Sequence, residues 1–349
     1  MQKLEVAIIG CGGMGTRHTQ NLAKLAGVHI SAFVDRDLER AQRLQALVGT
    51  GHATTDPTEV FDDPRIQAVV IATHHDSHPA LAIAAAQAGK HILIEKPLAL
   101  TNEACRAIEA AVQAAGVQLL VGFQARHAPL VRRAREWLPD SRVLFGQFVC
   151  SRWGDHIWAQ QPDIGGGNVL SQGVHCFDLL AYFAGAAPTV VYAQGGTLTH
   201  DPATTSVIDS VCATIRFANG AVAGAVVGDF GPSPWTLLAY YELFDARGKS
   251  ATLYHYYEGL CLGTAGARDR PGGPEREAPQ QITVQDLSPA EQEDRYGYAA
   301  LVSEFVACAR ENRPPAIAAG VRDGRRATAV ALACFESIRT GRPVTLDEA

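Results

Sequence analysis

Along the first 122 residues the apolar positions follow two alternating periods. Short runs at Glu5–Ile9, His29–Val34, Ala68–Ala72, His91–Ile94 and Gln118–Val121 are almost continuously apolar, the pattern of strands buried on both faces. Between them the spacing turns helical: Met14, Leu22 and Leu25 share one helix face, as do Leu81, Ala84, Ala85 and Ala88. A helix is predicted over Asn102–Ala115, with Thr101 as its N-cap and Gly116 as the C′ residue that ends it. Strand–helix alternation requires parallel strands joined by right-handed crossovers. The expected fold class is therefore α/β, with residues 1–122 forming a doubly wound domain.

Beyond residue 123 the pattern changes. Val143–Ser151, Val190–Gly195, Ser210–Phe217, Ala221–Gly228, Ala239–Phe244 and Ala251–Tyr257 are strand-like and follow closely on one another, and Asn219-Gly220 between two of them is a hairpin signal. One helix is expected at Val169–Ala184 and two near the end, over 298–312 and 323–340. Residues 264–281, rich in Gly, Pro and charge, read as a surface loop. Residues 123–349 are thus expected to form a second, α+β domain built on a large, mostly antiparallel open sheet.

Composition narrows the function classes. The chain has 349 residues, 47% hydrophobic and 19% charged, which suits about two domains and excludes wholesale disorder. Thirty Lys and Arg against 36 Asp and Glu leave a net charge of −6, which argues against nucleic-acid binding through a basic face. No apolar run approaches the roughly 18 residues of a membrane span, and the first residues open into a strand with no signal-peptide pattern, so a cytoplasmic protein is expected. The eight cysteines (Cys11, Cys105, Cys150, Cys176, Cys212, Cys261, Cys308 and Cys334) are scattered without C-x-x-C spacing. They read as reduced, mostly buried small hydrophobes, and no metal is expected.

Three motifs carry chemistry. Gly10-Cys11-Gly12-Gly13-Met14-Gly15 fits G-x-G-x-x-G, follows a strand and opens a helix. Gly10 would permit the tight turn, Gly12 the approach of a pyrophosphate, and Gly15 close helix–strand packing, with the helix N-terminus receiving the negative charge. Asp35, twenty residues beyond Gly15, ends the second strand, where a carboxylate reads ribose hydroxyls and repels a 2′-phosphate. NAD is therefore expected ahead of NADP, although Arg36 next to it could meet a phosphate and Asp35 could instead cap the following helix. The second motif is Glu95-Lys96-Pro97, directly after the fourth strand, at the sheet edge where ligands bind. Thr73 and His78 follow the third strand at the same edge. The third is Gly165-Gly166-Gly167-Asn168 followed by Ser171, His175, Asp178 and Tyr182, which share one helical stripe at about 3.6 residues per turn. The segment Val169–Ala184 has Asp178 as its only formal charge, which favours a stripe facing a cleft over one facing water.

Together these stretches resemble the glucose–fructose oxidoreductase/inositol dehydrogenase (Gfo/Idh/MocA) family. The resemblance rests on GCGGMGTRH at 10–18, IATHHDSH at 71–78, AGKHILIEKPLAL at 88–100, VGFQARHAP at 121–129, GGGNVLSQGVHCFDLL at 165–180 and TGRPVTL at 340–346. It implies a Rossmann domain followed by a substrate-binding domain, and a homodimer or homotetramer packed through the C-terminal sheet. It also implies a small polyhydroxylated substrate. Lys96 matches the family's active-site lysine, His175 its general acid/base, Asp178 an acidic residue on the same helix, and Arg126 an arginine of that pattern. Two positions depart. Ser171 stands where many polyol dehydrogenases of the family have Asp, and His127 stands where an aromatic residue is frequent.

The residues suit alcohol oxidation. A histidine with an ordinary pKa of about 6.5 can take the hydroxyl proton. Lys96 can stabilise alkoxide character as an ammonium, or carry the proton itself, and the sequence leaves both roles open. Trp153 and Trp158, in Arg152–Trp158 ahead of the glycines, could pack on the C–H patches of a sugar, or belong to the core or an interface. The expected catalytic residues are Lys96 and His175. Gly10, Cys11, Gly12, Gly13, Met14, Gly15, Asp35, Arg36, Thr73, His78, Glu95 and Lys96 are expected at the cofactor, and Lys96, Arg126, Trp153, Trp158, Ser171 and His175 at the substrate. Two other readings keep the dinucleotide site: an NAD-assisted glycosidase or epimerase with transient oxidation, and a non-catalytic regulator.

Overall fold

The computed structural model describes residues 3–150, 152–231, 238–264 and 278–347. The chain divides into two units, one of residues 1–124 and 298–325, the other of residues 125–297 and 326–349.

In the first unit, six parallel strands form the sheet: β1 (Leu4–Ile9), β2 (Val28–Val34), β3 (His52–Thr54), β4 (Ala68–Ile71), β5 (His91–Ile94) and β6 (Leu119–Val121). Their order is β6-β5-β4-β1-β2-β3, so the chain reverses direction across the sheet between β1 and β4. In such sheets ligands bind beyond the carboxyl ends of the strands at this switch. β4 is buried at every position, as its uninterrupted apolar run requires. The three-residue β3 has no apolar run to announce it. The helix Asn102–Ala115 is bounded as its sequence predicts: Thr101 Oγ1 accepts the Ala104 N–H at 3.1 Å, and Gly116 is left-handed.

The sequence division at 122/123 places the C-terminal helices with the second domain; the packing divides them. Helix Tyr298–Glu311 buries Leu301, Val302, Phe305 and Val306 in one cluster with Leu4, Val6, Leu22, Ile30 and Phe33. The two-residue strand Ala319–Gly320 then pairs antiparallel with β6. An apolar helical stripe states that a face must be covered, and it does not state by which core.

The second unit is a nine-stranded sheet. Its long strands are Val143–Val149, Pro188–Gly196, Ser210–Phe217, Val222–Gly228, Ala239–Phe244, Lys249–Tyr254 and Gly259–Thr264, with the short strands Gln280–Thr283 and Val344–Thr345 at its edges. All neighbours are antiparallel except Val143–Val149 with Val222–Gly228. Asn219-Gly220 does turn a hairpin between Ser210–Phe217 and Val222–Gly228, with Gly220 at φ +84°. Alternate residues are buried along Ser210–Phe217, so one sheet face is covered and the other open. Ser151, read as the end of a strand, lies outside the described residues, as do 265–277 of the expected loop; Gln280–Thr283 at the loop's end is an edge strand. Residues 169–184 are helical, but the first turn, Val169–Gly173, is a π-helix before the α-helix Val174–Ala184. Among the described residues, no helix is long and apolar enough to cross a membrane.

Candidate functional site

The dinucleotide loop runs from β1 into the helix Gly13–Ala23. Each of its glycines meets a different surrounding. Gly10 sits at φ +95°, and a Cβ there would lie 2.4 Å from the Ala72 carbonyl oxygen. At Gly15 a Cβ would lie 1.9 Å from the Gly10 carbonyl oxygen, so the helix rests on the loop through a bare backbone. A Cβ on Gly12 or Gly13 would meet nothing within 4 Å. The first pair of glycines builds the turn; the second leaves open backbone at a helix N-terminus whose first turn carries no acidic residue. That is the cradle a pyrophosphate needs.

Asp35, past the end of β2, accepts the backbone N–H of Cys11 on Oδ2 at 2.8 Å and that of Asp37 on Oδ1 at 3.0 Å. The N-cap of the following helix is Asp37, which accepts from the Glu39 N–H. Asp35 is thereby tied to the glycine loop itself. Cys11 lies beneath it; burial first, and then the Asp35 carboxylate, push the thiol up to about 12. Arg36 is exposed, with Nη2 at 3.5 Å from His74 Nδ1. Burial, then Arg36, lower the His74 pKa.

Lys96 is half-buried just beyond β5, and the Lys96–Pro97 peptide bond is cis. Its neighbours point inward. Glu95 is buried and receives His18 Nε2 at 2.8 Å. His78 is fully buried with Nδ1 at 2.9 Å from the Pro97 carbonyl oxygen. Burial lowers the His78 pKa, opposed by Pro97 and Glu95 and aided by Lys96. Glu95 and His78, expected at the cofactor, are both buried within this unit beside the half-buried Lys96. Thr73 follows β4 and accepts the Ser77 hydroxyl at 2.7 Å.

In the second unit three residues of the predicted stripe are buried, Ser171, His175 and Asp178 at 2%, 6% and 2% exposed, while Tyr182 is half-buried. Asp178 is locked by Arg126, whose Nε and Nη2 donate to its two oxygens at 2.9 and 2.6 Å. The Arg126 guanidinium also lies over the Tyr182 ring, 5.1 Å from its centroid. Arg126, expected at the substrate, makes this bidentate pair with Asp178, the geometry best suited to a buried carboxylate. His175 stacks on Phe148 with ring centroids 5.5 Å apart and 18° between planes, which fixes the imidazole's plane. Ser171 Oγ accepts Gln172 Nε2 at 3.4 Å, and His127 is buried. Trp153 and Trp158 are half-buried, on the loop that the triple glycine backs: a Cβ on Gly165 would lie 2.2 Å from the Ala159 Cα.

One polar network in this unit has no counterpart in the sequence reading. Buried His200 sits between two carboxylates, Nδ1 at 2.6 Å from Asp155 and Nε2 at 3.0 Å from Asp229. Gln160 Nε2 also donates to Asp229, and Thr204 Oγ1 donates to Asp155 at 2.9 Å. Asp209 accepts the backbone N–H groups of Leu198, Thr199 and His200 and the Ser210 hydroxyl. Ligand atoms of His200, Asp209 and Asp229 lie within 4.8 Å of one another. Both ring nitrogens are nevertheless held by carboxylates and Asp209 is filled by donors, so the group ties the 152–160 loop to the sheet. Its members lie on four separate segments without shared spacing, which hides them from sequence inspection.

Two family models match the chain. One, described as oxidoreductase family, NAD-binding Rossmann fold, covers residues 4–123; the other, the GFO/IDH/MocA C-terminal domain, covers residues 141–239. The myo-inositol 2-dehydrogenase of Thermotoga maritima is 27% identical over 252 residues, 70% of this chain and 74% of that protein. The scyllo-inositol 2-dehydrogenase (NAD(+)) of Bacillus subtilis is 25% identical over 354 residues, 99% of this chain and 97% of that protein. The solved structure of levoglucosan dehydrogenase in complex with NADH and levoglucosan is similar with a TM-score of 0.84 and 25% identity, covering 99% of both chains. With its glycine cradle inside the first matched region and the His175 helix inside the second, the chain belongs to the Gfo/Idh/MocA family of NAD-dependent oxidoreductases.

Proposed function

We propose that this protein transfers hydride between NAD(H) and a secondary alcohol or keto carbon of a sugar, cyclitol or sugar-derived acid, with Lys96 and His175 at the reacting centre. The observation that carries this reading is the open backbone over Gly12 and Gly13, beside an Asp35 carboxylate tethered to the same loop. Relatives named for inositols and levoglucosan support the substrate class.

In this mechanism Gly12, Gly13 and the helix N-terminus hold the pyrophosphate, and Asp35 receives the ribose hydroxyls. Bound NAD supplies the hydride acceptor. The Lys96 ammonium polarises the substrate oxygen and stabilises its developing charge. His175, its plane fixed by Phe148, takes the hydroxyl proton. Ser171, four residues earlier, can offer a hydrogen bond and no charge. Asp178 keeps its carboxylate on Arg126, so the pair holds the helix that presents His175. Trp153 and Trp158 offer apolar faces to the ring carbons of the substrate.

The same reading places a second copy of the chain on the open sheet face, where Tyr192, Val222, Phe244 and Tyr254 are exposed, and the protein in the cytoplasm. A panel of polyols, sugars and aldonic acids with NAD, followed by NADH absorbance, tests the activity. Turnover on a panel member that Lys96→Ala lowers by about 100-fold or more is expected. Turnover indifferent to Lys96→Ala overturns the assigned mechanism, and product formation without net NADH overturns the net redox reaction.

A further inference from the structure

Lys96 lies between two residues that are each held from below. On one side, Glu95 gives its backbone N–H to the Ile71 carbonyl at 2.9 Å and accepts His18 Nε2 on Oε1. A carboxylate only accepts, so the proton of that bond belongs to Nε2. The carboxyl lies hard against Gly122, where a Cβ would come within 2.9 Å of Oε1; the sequence leaves that room with a glycine. On the other side, the Pro97 carbonyl accepts His78 Nδ1 at 2.9 Å. Neither histidine reaches solvent: His18 is 1% exposed and His78 0%.

The two histidines come from the elements that flank the switch point. His78 opens the helix His78–Gln87 that follows β4. His18 lies on the helix Gly13–Ala23, whose buried face is Gly15, His18, Thr19 and Leu22. One end of that face rests on the Gly10 carbonyl and its middle grips Glu95. The helix that offers its N-terminus to the pyrophosphate therefore also fixes the residue next to the lysine.

We infer that His18 and His78 are positioning residues that brace Lys96 from both sides, His18 coupling the lysine to the seat of the dinucleotide helix. This inference rests on the assignment of Lys96 to the reacting centre. A buried hydrogen-bonded group can hold a side chain to the tolerance that hydride transfer needs, and displacement of about 1 Å costs on the order of 100-fold in rate.

The test turns on length at constant chemistry. In His18→Gln the amide nitrogen reaches about where Nε2 stands and can still donate to Glu95; in His18→Asn it falls one methylene short. Both are uncharged amides of like polarity, so a folded pair isolates the geometry. Two measurements are made on each full-length protein. The first is kcat and KM at saturating NAD, with the NAD dissociation constant. The second is the 13C resonance of reductively methylated Lys96, one of five lysines, identified by its loss in Lys96→Arg. His18→Asn is expected to lower kcat at least tenfold with KM changed less than threefold, and to move the Lys96 resonance. His18→Gln is expected to retain most of the turnover and the wild-type resonance. Equal kcat and equal resonances in the two variants overturn the brace. If His18→Asn does not fold, His18→Gln is compared with wild type alone, and a shifted resonance or a tenfold loss there overturns it. If Lys96→Ala leaves turnover unchanged, the catalytic assignment fails, while the resonance still decides whether His18 holds the lysine.

Discussion

The backbone N–H of Cys11 and the Oδ2 atom of Asp35, on either side of the β1–β2 pair, meet at 2.8 Å. The carboxylate expected to read the cofactor's ribose is thus also a fastener of the loop expected to hold its pyrophosphate. Cofactor choice and loop geometry are consequently coupled. At ~4 Å and an effective dielectric of ~20, a 2′-phosphate charge beside this carboxylate is opposed by about 4 kcal/mol, and a residual of ~1.4 kcal/mol is tenfold. Wild-type protein should prefer NAD over NADP by at least about tenfold in dissociation constant. Asp35→Ser should narrow or invert the ratio, leaving Arg36 to meet the phosphate. It should also weaken NAD itself, because the Cys11 N–H loses its acceptor. Calorimetric titration of both nucleotides into both proteins checks this; equal binding of NADP by the wild type overturns the role of Asp35.

The glycines of the loop separate binding from folding. Gly12→Ala places a methyl group in open space, so the melting temperature should stay near wild type while NAD affinity falls by about tenfold or more. Gly15→Ala drives a methyl into the Gly10 carbonyl and should instead lower the melting temperature. Thermal melts with and without NAD distinguish the two. A Gly12→Ala protein that binds NAD as wild type does would place the pyrophosphate elsewhere.

Arg126 and Asp178 form a bidentate pair buried in the second unit. Asp178→Leu leaves the guanidinium buried without this counter-charge and should cost about 3–5 kcal/mol. Replacing both residues, Arg126→Met with Asp178→Leu, should cost much less than the two single changes added together. Urea unfolding of the four proteins measures the coupling. Additive losses would show that the pair contributes nothing as a pair.

The His200 network carries a pH signature. Burial opposes a charge on the imidazole, but the hydrogen bonds it donates to Asp155 and Asp229, with their charges, outweigh it and raise the pKa. A group whose folded pKa lies above its unfolded value contributes stability that is full below the unfolded pKa and is lost as pH rises through the folded one. The stability difference between wild type and His200→Gln should therefore be largest at mildly acidic pH, still above the carboxylate range, and shrink as pH rises through the raised His200 pKa. Melts across that range test the sign. A difference that grows with pH would mean the imidazole is held neutral.

The sequence by itself determined the architecture of the first unit and the identity of its chemistry. Strands buried on both faces must be apolar throughout, and a pyrophosphate turn must be glycine, so β1, β4, β5 and Gly10–Gly15 are written in composition and period alone. The helix Asn102–Ala115 and the Asn219-Gly220 hairpin were legible for the same reason, because caps and tight turns are local chemistry. What tertiary structure decided was the direction in which polar side chains face and the core that each amphipathic helix joins. Glu95 takes its bond from His18, 77 residues away, and His78 gives its own to the Pro97 carbonyl, neither partner being marked by spacing. Arg126 finds its carboxylate 52 residues away, and His200 collects partners from both sides of the chain. Helix Tyr298–Glu311 crosses back into the first core. Periodicity encodes which face must leave water; the partner that removes it from water is set by packing between distant segments, and only the folded chain brings those together.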